Sequence, residues 1–382
     1  METTVTTMNN RRAAEVFPPG EFILEELEAR GWSQIDLAEI IGRHPNQVSL
    51  ILQGKQSVTP ETAKQLAAAF GTSAELWLNL ESAYQLSLIK ANDNLVSRKA
   101  KLYELFPVRE MIKRQWIEPS NNIEVLEKRF CDFFGISSLE ETPQLSHAAK
   151  KSTPGELTHT QRAWLFRAYQ LAPAVSTSLF SDSTLKACLE RLSLMRANLE
   201  DVRQVPRVLA DHGIRFLIVE ALPSTKIDGV CFWLNRSSPV IALSIRYDRI
   251  DSFWFTLMHE CGHVMNRDGQ QKPIVDIELV GDDAQAFAEK TDVERRADEF
   301  ACEHLVKKVE LDKFIARVRP FYYKQKIMLF ANRINVHPGI VVGQLQKRKV
   351  IEYSHNRDLL ERVRKTVTPS ALTDGWGSTP PV

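Results

Sequence analysis

The stretch Phe253 to Met265, FWFTLMHECGHVM, constrains the fold more than any other part of the chain. It sets His259 and His263 four residues apart, with Glu260 directly after the first. On a helix, residues i and i+4 lie one above the other on the same face. Two imidazoles presented that way can take two corners of a tetrahedral metal site, with the Glu260 carboxylate about 100° round the helix, over a remaining corner. The spacing therefore predicts a helix here with His259 and His263 as metal ligands. A third donor has to come from another element packed against this helix.

The region after His263 is rich in acids: Asp276, Glu278, Asp282, Asp283, Glu289, Asp292, Glu294, Asp298, Glu299 and Glu303. Most of these are read as bystanders. Glu294 stands out because VERRADEFACEHLV reads as a helix with Ala297, Ala301 and Leu305 on the same face, which turns this carboxylate inward and Glu299 and Glu303 elsewhere. The small alanines would let that helix come close to the first one at Gly262. Asp298, one turn beyond Glu294, is placed to accept the spare ring N–H of a ligating histidine and fix its tautomer. Three protein donors leave a fourth position for water, whose pKa falls towards 7 on a metal. Glu260 is then the catalytic base, taking the water proton during attack on a peptide carbonyl and passing it to the leaving amine. This is the H-E-x-x-H arrangement of metal-dependent peptidases. Arg246, Tyr247, His304, Tyr322 and Tyr323 are unranked candidates for a donor to the oxyanion.

At 382 residues the chain is long enough for two or three domains. The segment METTVTTMNNRRAAEV has no apolar signal region, and no stretch approaches eighteen apolar residues, so neither secretion by a standard signal nor membrane insertion is expected. Five cysteines (131, 188, 231, 261 and 302) at irregular spacing argue against a disulfide framework or a zinc ribbon and fit a reducing cytoplasm. Cys261, inside the metal helix, is read as a small apolar residue. Nine Lys or Arg and no acid lie between Lys313 and Ile351, whereas Val275 to Glu303 is acidic; the two segments are expected to neutralise one another across the fold.

Residues 1–19 read as a flexible arm. From Gly20 to Leu86 the chain is a run of short helices with Ser33 and Thr59 as N-cap types, Pro45 and Pro60 at first helical positions, and Gly31, Gly42, Gly54 and Gly71 closing the preceding helices. A tight turn at Gly42-Arg43-His44 separates the second and third, with Ala38, Val48 and Ile51 as the packed seam, which is a helix-turn-helix pattern. Through SQIDLAEIIG and LILQGKQSVTPETAKQLAAAFGTSAELWLNL, residues 18–88 resemble the Xre-type helix-turn-helix of HigA-family antitoxins. The resemblance implies that Gln34 touches DNA phosphate and that Asn46, Gln47 and Ser49 face base edges, with homodimers common. The chain departs from the pattern at Leu50, where an Arg is usual, and at Arg43, where an apolar residue is usual. The Gly20–Leu86 segment also carries four basic against nine acidic residues.

Residues 89–150 read as a helical connecting region, in which IEVLEKRFCDFFGI has apolar residues at helical spacing, followed by a polar loop. Strand signals come together in IRFLIVEAL, DGVCFWL and PVIALSIR, just before the metal helix. By fold analogy, one edge of such a sheet would be free to receive an extended substrate as an added strand. IEYSHNRDLLERVRK reads as a last helix and residues 367–382 as a disordered tail.

SIRYDRIDSFWFTLMHECGHVMNRDG, VERRADEFACEHLV and FANRINVHPGIVVGQLQ together look like the ImmA/IrrE family of metallo-endopeptidases, in the subgroup fused to an Xre helix-turn-helix. The resemblance implies a metallopeptidase domain over 151–366, with His259, His263 and Glu294 as ligands of Zn2+, or of Mn2+, and Glu260 as catalytic base. It also implies cleavage of a repressor protein in a stress, mobile-element or toxin–antitoxin system. The expected fold is α+β and mainly helical: an all-α helix-turn-helix domain at 20–88, then a zincin-like domain with a small sheet. The expected protein is a cytoplasmic zinc endopeptidase that also binds operator DNA. The competing expectations are a HigA-like antitoxin or autorepressor whose peptidase-like domain senses or binds a partner without turnover, and a scaffold in which the metal is structural.

Overall fold

The computed structural model describes residues 16–88, 93–143, 150–151, 156–281 and 290–376. Of the acids considered above, Asp282, Asp283 and Glu289 lie outside the described residues. So do most of the expected N-terminal arm and parts of the loop near residue 150. The chain divides into two compact units, Met1–Val96 and Ser97–Val382. Among the described residues no helix is long and apolar enough to cross a membrane.

The first unit is all helical: α1 (Pro19–Arg30), α2 (Gln34–Ile41), α3 (Pro45–Leu52), α4 (Pro60–Phe70) and α5 (Ala74–Leu88). Its punctuation follows the local chemistry. Ser33 caps α2 in a capping box with Asp36, Thr59 caps α4, and Gly31, Gly42 and Gly71 end their helices in the left-handed conformation. Leu37, Ala38, Val48, Ile51, Leu66 and Trp77 are buried in one core, with Ala38, Val48 and Ile51 at the α2–α3 seam. Gly20 packs so tightly on the Leu52 backbone that a Cβ would come within 2.7 Å of its Cα, which fixes α1 against the end of α3.

Helix α6 (Asp93–Leu105) crosses the boundary between the units. The second unit continues with α7 (Val108–Lys113), α8 (Ile123–Phe134), β1 (Lys150–Lys151), α9 (His159–Leu171), α10 (Asp182–Leu194), α11 (Val205–Asp211), β2 (Arg215–Ile218), β3 (Ile227–Trp233), β4 (Pro239–Leu243) and α12 (Ile250–Met265). Then come β5 (Ile274–Ile277), α13 (Asp292–Leu305), α14 (Lys308–Val318), α15 (Lys324–Arg333), α16 (Pro338–Lys347), α17 (Arg364–Val367) and β6 (Leu372–Thr373). The six described strands form one mixed sheet in the order β1-β5-β3-β4-β2-β6. It is buried on both faces, so its strands read as continuous apolar runs and not as alternating ones. Alternation is still present in what each residue meets. Cys231, Trp233, Ile241 and Leu243 face α10 to α16, while Val230, Phe232, Val240, Ala242, Val275 and Ile277 face α6 to α9.

Residues expected to form a connecting region thus build the layer that covers one face of the sheet. Leu102, Met111, Phe130 and Phe134 share a core with Leu217 and Phe232. Three further expectations differ from the structure. The outer edges of β5 and β2 are not free: the backbone of Lys150–Lys151 pairs with Ile274–Val275, and Leu372–Thr373 pairs with Leu217–Ile218. Residues 367–376, expected to be disordered, are held by that pairing and by Asp374, 3.5 Å from the buried Arg114 guanidinium, with Trp376 under the cations of Lys113 and Arg114. IEYSHNRDLLERVRK is not one helix. It holds a single 3-10 turn at Arg357–Leu359 and then α17, because the Glu361 carbonyl accepts from Ile250 N–H and Asp248 accepts from the amides of Val363 and Arg364. Those long-range bonds draw the segment across the start of α12, and a continuous helix would consume the same backbone groups internally.

Candidate metal centre

Helix α12 is buried along nearly its whole length, and His259, Glu260 and His263 have no exposed surface. Gly262 makes the close approach of α13 possible: a Cβ there would stand 3.2 Å from the Ala297 Cα. Glu294 lies in the first turn of α13, capped by Thr291, and turns inward on the face of Ala297 and Ala301; Glu299 and Glu303 are exposed. The two histidine Nε2 atoms are 3.0 Å apart, and Glu294 Oε2 is 3.2 Å from His259 Nε2 and 3.8 Å from His263 Nε2.

A fourth donor joins them. Asp276, read from sequence as a bystander, puts Oδ2 3.5 Å from His259 Nε2 and 3.7 Å from His263 Nε2 and is fully buried. One donor atom from each of His259, His263, Asp276 and Glu294 lies within 4.8 Å of all the others. Strand alternation explains the placement. Val275 and Ile277 face the α6–α9 layer, so Asp276 between them points to α12.

The far nitrogens of the imidazoles also meet carboxylates. His259 Nδ1 is 3.0 Å from Asp298 Oδ1, and His263 Nδ1 is 3.2 Å from Asp268 Oδ2. Each contact holds a ring with Nε2 towards the cluster, as outer carboxylates do for metal-ligating histidines. Asp298 was legible one turn after Glu294. Asp268 was not, since it arrives through a turn after α12 in which Arg267 and Gly269 have positive φ. Asp298 also accepts from Lys290 at 2.8 Å and Lys347 at 3.1 Å. The Lys347 bond is one link of the expected neutralisation between the basic and acidic segments.

Glu260 lies on the sheet side of α12, against β3. A Cβ built on Gly229 would fall onto Glu260 Oε1, 3.1 Å from its Cδ and 2.9 Å from Thr256 Cγ2. Gly229 pairs with Asp276 across the sheet, so the missing side chain makes room for the carboxylate beside the cluster. Asp228, next to it, is the extra residue of a β-bulge. It is fastened by Arg246 at 3.1 Å and by the Leu279 amide at 2.7 Å.

The electrostatics bear on whether a cation fits. Glu260, Asp268, Asp276, Glu294 and Asp298 gather carboxylates round the two imidazoles against the cations of Lys290 and Lys347 alone, an excess of negative charge that a divalent ion reduces. Both oxygens of Asp276 are buried without a hydrogen-bond partner, a condition an ion bound among His259, His263, Asp276 and Glu294 would relieve. Burial, and then the charge of Asp276, push Glu260 and Glu294 above the ordinary carboxylate range. Burial opposes ionisation of Asp298, but His259, Lys347 and Lys290 together hold it well below that range. A donor set of two imidazoles and carboxylates suits zinc and tolerates manganese. A surface cleft lined by Asp268, Gly269, Lys272, Ile274 and Thr291 reaches the cluster at Glu294, while His259, Glu260, His263 and Asp276 lie behind it without exposed surface.

The other sequence candidates fall elsewhere. Arg246 is taken up by Asp228, His304 Nδ1 lies 2.9 Å from the Phe300 carbonyl, and Tyr322 and Tyr323 stand just before α15. In the first unit, Gln34 is exposed at the start of α2, and Asn46 and Gln47 are exposed in the first turn of α3. Ser49 is half-buried, with its Oγ accepting from Gln53 Nε2 at 3.0 Å. Arg43 is turned onto α4, donating to Gln65 at 2.6 Å, and Leu50 is exposed.

Comparison with known proteins finds one family match within each unit. Residues 23–77 match a helix-turn-helix family, and residues 209–346 match the IrrE N-terminal-like domain of peptidase family M78. An uncharacterized HTH-type transcriptional regulator of Escherichia coli K12, YddM, is 36% identical over 69 residues, which are 18% of this chain and 73% of that protein. Antitoxin HigA-1 of Vibrio cholerae is 41% identical over 68 residues, covering 18% of this chain and 64% of its own length. Among solved structures, an addiction module antidote protein of the HigA family from Coxiella burnetii is 41% identical, covering 19% of this chain and 79% of that one, with a TM-score of 0.19. Through its first unit the chain belongs to the HTH-type transcriptional regulators, and behind that module it carries a domain similar to the IrrE N-terminal-like domain.

Proposed function

We propose that the second unit is a metal-dependent endopeptidase acting on a regulatory protein, such as a transcriptional repressor, and that the first unit binds operator DNA. The observation that carries the reading is the convergence of His259, His263 and Glu294 around one point with the buried Glu260 carboxylate alongside. When bound, zinc or manganese supplies Lewis-acid polarisation of a peptide carbonyl and lowers the pKa of water. The chain's own residues do the rest. His259, His263 and Glu294 hold the ion, while Asp298 and Asp268 keep the two rings in the tautomer that leaves Nε2 free to ligate. Glu260, raised in pKa by its surroundings, takes a proton from attacking water and returns it to the leaving amine. The cleft between Asp268 and Glu294 is the route by which a polypeptide reaches these groups.

In the first unit, the exposed Asn46 and Gln47 are read as base-contacting residues, Ser49 as a third, and Gln34 as a phosphate contact. The likeness to HigA-type regulators supports this, and homodimerisation would follow the same pattern. The direct test of the peptidase is Glu260→Gln. It should retain the metal and lose about 10²–10⁴-fold in the rate of cleaving a regulator encoded beside it. Equal cleavage by both proteins would remove Glu260 from the chemistry.

A second reading is favoured by Asp276. Four protein donors suit a closed, structural ion, in a regulator that binds a partner without turnover. Under it, the Glu260→Gln protein would bind operator and partner normally, and no metal-dependent cleavage would be found with either form.

A further inference from the structure

The four converging donors are not equally anchored. The His259 and His263 rings are each pinned by a carboxylate on Nδ1, and the Glu294 backbone is locked where Ala297 packs on Gly262. Asp276 comes instead from strand β5, and its Oδ2 meets the two Nε2 atoms of the cluster. It completes the polyhedron. Five of the six donor separations run from 3.0 to 3.8 Å. Separations of that size would suit donors that share one ion.

We propose that Asp276 is a fourth protein ligand that closes the metal centre, so that the protein rests in a latent form, and that withdrawal of this one carboxylate admits solvent. This rests on reading the cluster as the hydrolytic metal centre, and it adds the regulation of that centre. Catalytic zinc sites keep one position open, whereas sites with four protein ligands exclude water. Asp276 is the donor assigned to give way, because it stands on the sheet while both imidazoles stand on α12 and Glu294 on α13. Its position on β5, opposite Gly229 and beside the Asp228 bulge, ties that movement to the strand nearest Glu260.

The test uses the full chain loaded with one equivalent of Mn2+ or Co2+, compared with Asp276→Ala and with the isosteric Asp276→Asn, each checked before metal is added for a retained cooperative thermal transition of the second unit. Mn2+ in the unaltered protein should give little inner-sphere enhancement of solvent proton relaxation. Asp276→Ala should gain that enhancement and bind Co2+ at least about tenfold more weakly, with Asp276→Asn between the two. Equal relaxation in all three, with Co2+ affinities within twofold, would overturn the role of Asp276 and leave the metal centre standing. No stoichiometric binding by any of them, with His259→Ala indistinguishable, would overturn the latent centre together with the metal-centre reading beneath it.

Discussion

Helices α3 and α12 present their candidate functional residues in opposite ways. On α3 they are in solvent: Asn46 and Gln47 are exposed, Leu50 is exposed beside them, and only Val48, Ile51 and Leu52 are buried. On α12 they are at zero exposure, with carboxylates and lysines gathered round them. A site of the first kind costs its unit almost nothing in stability, because water solvates each group in the free protein. A site of the second kind is an electrostatic debt inside the fold, tolerable once its charges are matched. Removal of the site residues or their ligand should therefore be felt by stability in one unit and by affinity alone in the other.

The sharpest way to break that contrast is to strip metal. With the ion at a thousandfold excess over its dissociation constant, binding should stabilise the second unit by about 4 kcal/mol, and a chelator should remove that without moving the transition of the first unit. Differential scanning calorimetry resolves the two, and coincident shifts would show that the contrast is false. Next is Gly229→Ala, where an added methyl group meets the Glu260 carboxylate and Thr256. Overpacking should cost about 1–3 kcal/mol in a urea titration, and the displaced base should slow cleavage more than it weakens metal binding. Ser33→Ala, which removes one half of the α2 capping box, should cost the first unit about 1 kcal/mol. Smallest in stability is Asn46→Ala combined with Gln47→Ala. It should leave both transitions within about 0.5 kcal/mol while operator affinity, read by fluorescence anisotropy at fixed salt, falls at least about tenfold. Unchanged affinity would argue that α3 docks on something other than bases.

The same contrast explains what could be read without coordinates. His259, Glu260 and His263 were legible because one regular helix fixes their mutual positions, and Glu294 because alanines mark its inward face. Caps and glycines made the first unit plain, since each acts on its own few residues. Asp276 was hidden among acids scattered from 276 to 303, and its helix-facing direction depends on a four-residue strand buried on both sides, where hydropathy does not alternate. A lone acid inside the apolar run IVDI was the available signal. Asp268 depended on a turn, and the last helix failed because Asp248 and Ile250, more than a hundred residues earlier, claim its backbone groups.

The two-residue strand β6 sets a timing for biosynthesis. The outer edge of β2 finds its partner only when residues 372 and 373 arrive, so a nascent chain carries Leu217 and Ile218 with one side unpaired while some 150 further residues are added. At ~5–20 residues per second that interval is roughly 10–30 s, long enough for an open strand edge on the ribosome to meet a chaperone or another nascent chain.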